Sequence, residues 1–330
     1  MNEELDKKVL PYHEPDSIWL SFQGITDFES FISKLVMVGQ FHQNVPEAVT
    51  KSYRIAEHLM AYSWYHYPVI DKALVKLLRT MELAIKLRCE QLKIPLHTQD
   101  AKANKRKKNL NSLIDDLKKT EPDKEIIDIL HWLRGVRNYL MHPERETLFG
   151  TIALNHIRQC LIMYNALFLS NDFFLRNKKK LEEVKLLLKE VTRDLCILEH
   201  TGHRYIVYEA DIIEAYEVDS KWFFLFSAKA VPNDFSAMLA KDCYPTPITY
   251  MITDIKISNN EITGIVTECE EPFILSINTH PQNMETYSLF EDAKRQMTDH
   301  QEYLFQMLNN STAATERTNA RLKFWHQSLD

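Results

Sequence analysis

Apolar residues recur at every third or fourth position in the segment that follows Pro68. This spacing places them on one face of a helix and therefore predicts an amphipathic α-helix. Pro95 ends the predicted helix, because proline lacks the backbone N–H that a continuing helix needs. The apolar stripe consists of Leu74, Leu77, Leu78, Met81, Ala84, Ile85 and Leu92.

Three more helices are predicted after this one. A short helix covers 110–119, and the next begins near Pro122 and Asp123, where the aspartate can cap it. That helix ends at Pro143, since the residue before a proline avoids the helical region. The fourth helix covers 149–167. Four helices with short connections over about 110 residues predict an up-and-down bundle.

The composition changes after residue 200. Four segments are rich in Val, Ile, Tyr, Phe and Thr, residues that favour β-strands. Ser258-Asn259-Asn260 predicts a hairpin turn between two of these segments. We therefore expect a small antiparallel β domain in this part of the chain. The strand-like segments are 204–218, 221–231, 249–257 and 261–277.

Together these patterns predict an α+β protein that is mainly α. Its expected architecture is a four- to five-helix up-and-down bundle followed by a small antiparallel β domain. A polar helix is predicted at 288–309, near the end of the chain. The predicted boundaries are 1–60 for a mixed or helical extension, 61–175 for the bundle, 176–200 for a helical linker, 201–280 for the β domain and 281–330 for the C-terminal helix and tail.

The bulk composition narrows the classes of protein to consider. A content of 45% hydrophobic and 26% charged residues is typical of a folded chain and disfavours wholesale disorder. Only 6 glycines are present, which disfavours a Gly-rich phosphate-binding loop. The net charge of −6 leaves no global basic footprint for nucleic acid, so RNA would need a local basic patch.

Cysteine spacing and apolar runs point to the compartment. The five cysteines include no CxxC pair, so neither a zinc knuckle nor a disulfide framework is indicated. The first ten residues lack the apolar core of a signal peptide. The longest apolar run, 161–175, is too short to span a bilayer. We expect a cytoplasmic protein without a membrane segment, a metal ion or a cofactor.

The segment Arg137-Asn138-Tyr139-Leu140-Met141-His142 is the strongest candidate for chemistry. It lies at the end of an apolar-striped helix, and a polar Asn directly follows the Arg. Positions five apart differ by about 140° around a helix and do not share a face. Pro143 removes this difficulty, because His142 need not be helical and can turn towards Arg137.

The spacing between Arg and His carries no information by itself. The same spacing occurs at Arg295/His300 and at Arg321/His326, both in the polar C-terminal region. Neither of those arginines is followed by Asn. The context of Arg137, and not its distance from a histidine, therefore supports the hypothesis.

Arg137 and His142 suit RNA cleavage without a metal ion. A histidine titrates near neutrality and can move the protons of the attacking 2′-hydroxyl or the departing 5′-oxygen. An arginine stays charged and can stabilise the transition state at phosphorus, while Asn138 could orient the imidazole or bind a phosphate oxygen. The structural alternative is that Arg137 pairs with a carboxylate and His142 meets the helix dipole. The residues alone favour this alternative.

The segment 62–174 resembles the HEPN superfamily, especially its abortive-infection and toxin-type members. The family pattern is an Arg, usually followed by a polar residue, with a His four to six residues further on. Arg137, Asn138 and His142 match this pattern, whereas the helix at 78–88 is only generically similar. The resemblance implies a HEPN-like bundle of four to five helices that forms a homodimer and joins two copies of the motif in one cleft.

The resemblance also implies an activity and moves the prediction towards catalysis. The expected function is a metal-independent endoribonuclease that leaves 2′,3′-cyclic phosphate ends and acts as a toxin or in phage defence. Arg137, Asn138 and His142 would be catalytic, RNA the substrate, and an antitoxin or regulator a possible partner. The alternative is a non-catalytic scaffold that binds a nucleotide, RNA or a partner protein. Toxins silenced by nucleotidylation carry Tyr two residues after the His; Glu144 stands there, so we do not expect that control.

Weaker contacts with RNA are expected from basic residues around the motif. A basic run is also typical of a solvated loop, and both interpretations stay open. Glu82 is predicted to face the bundle centre and to pair with an arginine. The candidate RNA-binding residues are Lys105, Arg106, Lys107, Lys108, Arg134 and Arg145.

Overall fold

The computed structural model describes residues 13–22, 24–99, 105–120, 124–142, 150–258 and 260–327. The chain divides into two compact units, Met1–Leu169 and Ser170–Asp330. The described elements of the first unit are helices apart from one short hairpin. The second unit is built around a β-barrel. Among the described residues, no helix combines the length and the apolar character that crossing a membrane requires.

Seven helices and one hairpin are described in the first unit. The helices are α1 (Ser17–Leu20), α2 (Phe28–Leu35), α3 (Glu47–Tyr62), α4 (Val69–Gln91), α5 (Leu110–Leu117), α6 (Lys124–Leu140) and α7 (Gly150–Ala166). The strands of the hairpin are β1 (His97–Gln99) and β2 (Lys105–Lys107), which pair in antiparallel orientation.

Helix α4 is the central element of the first unit, and α3, α5, α6 and α7 all pack against it. Its predicted apolar stripe is buried, including Leu74, Leu77 and Ile85, except for Leu92, which follows the helix and is half-buried. Each such side chain contributes roughly 1.5–3 kcal/mol when it is fully removed from water. Tyr164 of α7 adds a buried hydrogen bond, because its hydroxyl donates to the carbonyl of Leu77 at 2.6 Å.

The segment 1–60 was expected as an extension, but its described residues, which begin at 13, contribute directly to the core of this unit. Helix α3 packs along α4, where the hydroxyls of Ser52 and Thr80 lie 2.7 Å apart. Trp19 of α1 is fully buried, and its Nε1 donates to the carbonyl of Ser63 at 2.6 Å. The helical core therefore begins before the predicted boundary at residue 61.

Six strands and four helices are described in the second unit. The strands are β3 (Cys196–His200), β4 (His203–Val218), β5 (Lys221–Ala230), β6 (Ile248–Ile257), β7 (Glu261–Val266) and β8 (Glu271–Ile277). The helices are α8 (Asn171–Val191), α9 (Phe235–Leu239), α10 (Pro281–Arg295) and α11 (Asp299–Phe324).

The six strands form a closed antiparallel barrel in chain order, and β3 pairs with β8 to close the ring. Thr201 and Gly202 connect β3 to β4 with φ values of 48° and 75°. Positive φ at both central residues is what a type I′ hairpin turn requires, and glycine adopts it without steric cost. Val184 and Leu188 of α8 join the same buried cluster as Phe226 and Phe273 of the barrel.

The predicted fold class, a mainly α bundle followed by a small β domain, is wrong. The β region is a closed six-stranded barrel with its own helices, in a unit comparable in length to the helical one. The error began at β3, because Leu195 and Leu198 fit the helical spacing expected for the linker 176–200. Cys196, Leu198 and His200 instead occupy every second position of a strand, where side chains point to the same face, and all three are buried. Pairing of β3 with the distant β8 is non-local, so spacing within β3 could not reveal it.

Most of the strands nevertheless lie where the composition predicts them. The segment 261–277 divides into β7 and β8 at a turn, and Asn259 of the predicted hairpin lies outside the described residues. The polar C-terminal region forms two helices. Thr298 separates them, because its side chain caps α11 in a reciprocal capping box with Gln301.

Helix α11 is attached to the barrel through Glu214 of β4. A bulge precedes Glu214 in the β4–β5 pairing, and bulges re-aim side chains. Arg321 of α11 donates from Nε to both carboxylate oxygens, at 2.9 and 3.2 Å, and the Tyr216 hydroxyl also donates to this carboxylate. The side chains of Arg321 and Glu214 are only 8% and 13% exposed. Phe324 stacks on the ring of Tyr216 beside this ion pair.

We expect Arg321→Leu to lower the free energy of unfolding of the barrel unit by about 1–3 kcal/mol, because the buried Glu214 carboxylate loses its two-oxygen partner and keeps only Arg317, at 3.3 Å, and the Tyr216 hydroxyl. Urea unfolding followed by tryptophan fluorescence measures the change. Arg295→Leu is the matched control, since Arg295 pairs with Asp292 at 3.0 Å on an exposed surface and should cost less than about 1 kcal/mol. Equal losses in the two variants would contradict the prediction.

Candidate functional site

Helix α6 positions the predicted motif by burying one face. The residues of this face that lie in the core are Ile126, Ile127, Leu130 and Leu133. Their packing fixes the position of the last turn of the helix. The helix ends at Leu140, three residues before Pro143, where the sequence predicts its end; Pro143 itself lies outside the described residues.

His142 follows the last turn and is exposed. The amide of Met141 donates to the carbonyl of Arg137 at 3.1 Å, whereas the amide of His142 donates to the carbonyl of Tyr139 at 3.3 Å. This shift from four-residue to three-residue spacing tightens the end of the helix. His142 has therefore left the regular helix, as the sequence predicts.

Arg137 contacts α4 through an ion pair. Its Nη2 donates to Oε2 of Glu82 at 2.9 Å, and its Nη1 lies 3.4 Å from Oδ1 of the adjacent Asn138. Lys86 donates to the other oxygen of Glu82 at 2.5 Å. The predicted pairing of Glu82 with an arginine is confirmed, and the arginine is Arg137. The structure thus brings Arg137 and Asn138 together and holds Arg137 against α4.

The charges around Glu82 keep its carboxylate ionised. Burial by itself raises the pKa of Glu82, but the hydrogen bond and charge of Lys86, followed by the charges of Arg137 and Lys107, outweigh it. The net result is a pKa below the ordinary value. Glu82 is therefore a poor proton acceptor at neutral pH. Two cations, Lys86 and Arg137, contact this one carboxylate, and Lys107 adds positive charge to its surroundings. This surplus is a local basic patch in a chain of net charge −6.

Arg134 is the other arginine on this face of α6. Residues three apart on a helix are neighbours, so Arg134 and Arg137 lie side by side. The Nε atoms of both are buried and donate no hydrogen bond within the described part of the chain. An unsatisfied buried donor is unusual and is normally met by water or a ligand oxygen. The pair also places two positive charges next to each other at this end of α6.

The basic run expected as a solvated loop is partly a strand. Lys105 and Arg106 are exposed in β2, and Lys107 contributes to the electrostatics of Glu82. Lys108 instead pairs with Asp116 at 2.7 Å and is mostly buried. Arg145 lies outside the described residues.

Lys86 is the residue that the sequence analysis missed. It stands four residues after Glu82 on α4, the spacing at which a Glu–Lys pair meets on a helix surface. That spacing was the available signal. Among the side chains that the structure describes, no group of three or more His, Cys, Asp or Glu could hold a metal ion.

Comparisons of the chain with protein-family models, with curated proteins and with solved structures give no significant match. The resemblance to HEPN proteins therefore stays a prediction that rests on Arg137, Asn138 and His142.

We expect Glu82→Gln to lower the free energy of unfolding by about 1–2 kcal/mol at neutral pH, because partly buried Arg137 loses its carboxylate. The pKa of Glu82 is lower in the folded protein than its ordinary 4.5. The stabilisation is therefore present above that value and is lost as pH falls through the lowered pKa.

The measurement is urea unfolding of the wild type and the variant at neutral pH and at about pH 3, where the difference should shrink towards zero. Glu47→Gln is the control, because the Glu47–Lys51 pair has the same four-residue spacing but is exposed. A difference between wild type and Glu82→Gln that is independent of pH would contradict the assigned role.

Proposed function

We propose that the protein is a metal-independent endoribonuclease in which Arg137 and His142 are catalytic and Asn138 orients one of them. The observation that carries the proposal is the cationic cluster at the end of α6. Arg137 lies within it, Arg134 is its neighbour, and exposed His142 follows directly after the end of the helix. The match of these residues to the HEPN motif adds support, but the predicted bundle is not part of the proposal.

The chemistry assigns one role to each residue. His142 accepts the proton of the 2′-hydroxyl as that oxygen attacks phosphorus, or supplies a proton to the departing 5′-oxygen. Arg137 donates to the non-bridging oxygens, where negative charge increases in the transition state. The products are a 2′,3′-cyclic phosphate and a free 5′-hydroxyl.

Glu82 tunes Arg137 in this proposal. In the free protein the carboxylate holds the guanidinium in a defined orientation at 2.9 Å. A phosphate competes with Glu82 for Arg137, and Lys86 stays with Glu82 when Arg137 turns to the substrate. The surplus of positive charge favours this exchange, since a phosphodiester adds one negative charge to the cluster.

A homodimer and a cytoplasmic location belong to the same proposal. Three large hydrophobic residues in and just after α6 have about 40% of their surface exposed: Trp132 in the middle of the helix at 43%, Tyr139 in its last turn at 40% and Met141 after it at 38%. Burying such residues against a second copy would place two motifs in one cleft. A role as a toxin or phage-defence effector, controlled by an antitoxin or regulator, belongs to the proposal because the resemblance to HEPN proteins implies it.

The second candidate function is a non-catalytic scaffold that binds RNA or a nucleotide. The Arg137–Glu82 ion pair favours it, because a guanidinium engaged by a carboxylate is already satisfied in part. The two candidates differ in what Glu82→Gln does. If Arg137 is catalytic, Glu82→Gln frees it from the carboxylate and the rate of RNA cleavage stays the same or increases. In a scaffold, the same substitution changes only the affinity for RNA or a nucleotide.

His142→Ala is expected to reduce cleavage of RNA by about 10²–10⁴-fold, the usual contribution of a proton-transferring group. Purified protein is incubated with total RNA in EDTA, and the ends are mapped for 2′,3′-cyclic phosphate. His142 is exposed, so this variant should fold as the parent does. Intact RNA with the parent protein, or equal cleavage by His142→Ala, would overturn the enzymatic proposal.

The chain supplies its own matched control. Arg295 and His300 have the same spacing as Arg137 and His142 but lie in the second unit. The double variant Arg295→Ala/His300→Ala should cleave like the parent. Growth arrest on expression should follow the same pattern, with loss of toxicity in His142→Ala only.

A further inference from the structure

A cavity of about 460 Å³ lies within the barrel unit, outside the site described above. Strands β5 and β6, the turn between β7 and β8, and helix α11 form its walls. Leu225, Met251 and Val266 supply apolar surface. The charged and amide groups of the lining come from Glu268, Glu316, Asn319 and Lys323. A pocket that combines apolar surface with placed polar groups can bind a small molecule.

His200 enters this cavity from the end of β3 and is only 8% exposed. Its Nδ1 lies 3.2 Å from the carbonyl oxygen of Pro272. A carbonyl only accepts hydrogen bonds, so Nδ1 carries the proton and Nε2 is left as the acceptor. The ring of Tyr250 packs against the imidazole at 4.6 Å and fixes its plane.

Cys269 lies opposite that acceptor. It belongs to the exposed turn between β7 and β8, and its Sγ lies 3.6 Å from Nε2 of His200, so the thiol donates to the imidazole. A nucleophile in contact with a base, which is itself oriented by a third group, is the arrangement that nucleophilic catalysis requires. Here the third group is the carbonyl of Pro272.

The other cysteines lack this combination of exposure and a base. Burial raises the pKa of Cys89 to about 11, of Cys160 to about 12 and of Cys196 to about 11. Those thiols are therefore protonated and enclosed. Cys243 is exposed, but its Sγ donates to the backbone carbonyl of Lys241, which cannot take up its proton.

We propose that Cys269 is a nucleophile that accepts an acyl group from a small ester or thioester, with His200 as its base. The proton of Sγ passes to Nε2 of His200 as Sγ attacks the carbonyl carbon. The carbon–oxygen or carbon–sulfur bond to the leaving group then breaks, and Nε2 returns the proton to that group. The products are a thioester at Cys269 and an alcohol or thiol, and neutral His200 is regenerated.

This inference is independent of the proposed ribonuclease. The two sites lie in different units and share no residue. Loss of acylation leaves the RNA assay unaffected, and inactivity towards RNA leaves the thiol site untouched.

The test uses 4-nitrophenyl acetate on the full chain, with mass spectrometry of peptides to locate the acetyl group. Cys243→Ser leaves Cys269 as the exposed thiol, and Cys269→Ser leaves Cys243. We expect Cys269 to be acetylated about 10²-fold or more faster than Cys243 at neutral pH, in line with general base catalysis. Equal acetylation rates at the two cysteines would overturn the proposal. This comparison needs no substitution of His200.

His200→Asn separates a base from a packing residue. The amide can donate to the carbonyl of Pro272 as Nδ1 does, but it offers no base to Cys269. Acetylation of Cys269 should fall to the rate of Cys243 in this variant, and an unchanged rate in the folded protein contradicts the role of His200. The Cys243/Cys269 comparison decides the proposal if His200→Asn does not fold.

Discussion

Closure of the barrel by the pairing of β3 with β8 is the constraint on which the second unit depends. It removes the exposed edges of the sheet and joins residues that are far apart in the chain. It also sets His200 opposite Phe273, which brings the imidazole to the carbonyl of Pro272 and to the thiol of Cys269. Without that register, neither the interior cluster nor the cavity beside α11 would form.

A different constraint organises the helical unit. Glu82 is a partly buried carboxylate on the central helix α4, and it gathers Lys86, Arg137 and Lys107 around it. The carboxylate needs cations to offset its burial, and the cations exceed it in number. The same contact that stabilises the end of α6 therefore also creates a positively charged surface in an acidic protein.

The three Arg–His pairs show why spacing is a weak guide to function. Arg137, Arg295 and Arg321 each form an ion pair with a carboxylate. Arg321 is buried where α11 meets Glu214 of the barrel and acts in packing, whereas Arg295 makes an exposed pair within its own helix. Arg137 differs from both because its side chain is 28% exposed, against 8% for Arg321 and 74% for Arg295, and because Lys86 also binds its partner Glu82. The surroundings, and not the distance to a histidine, separate the three.

Local order was readable from the sequence because it depends on neighbours in the chain. Periodicity located α4 and the end of α6, β-branched and aromatic residues located most strands, and the charge at Glu82 implied an arginine partner. The tertiary structure alone decided which arginine that was, how β3 closes the barrel, and that Cys269 meets His200. Those outcomes depend on strand register and helix packing between distant segments, where many pairings are compatible with the same local pattern.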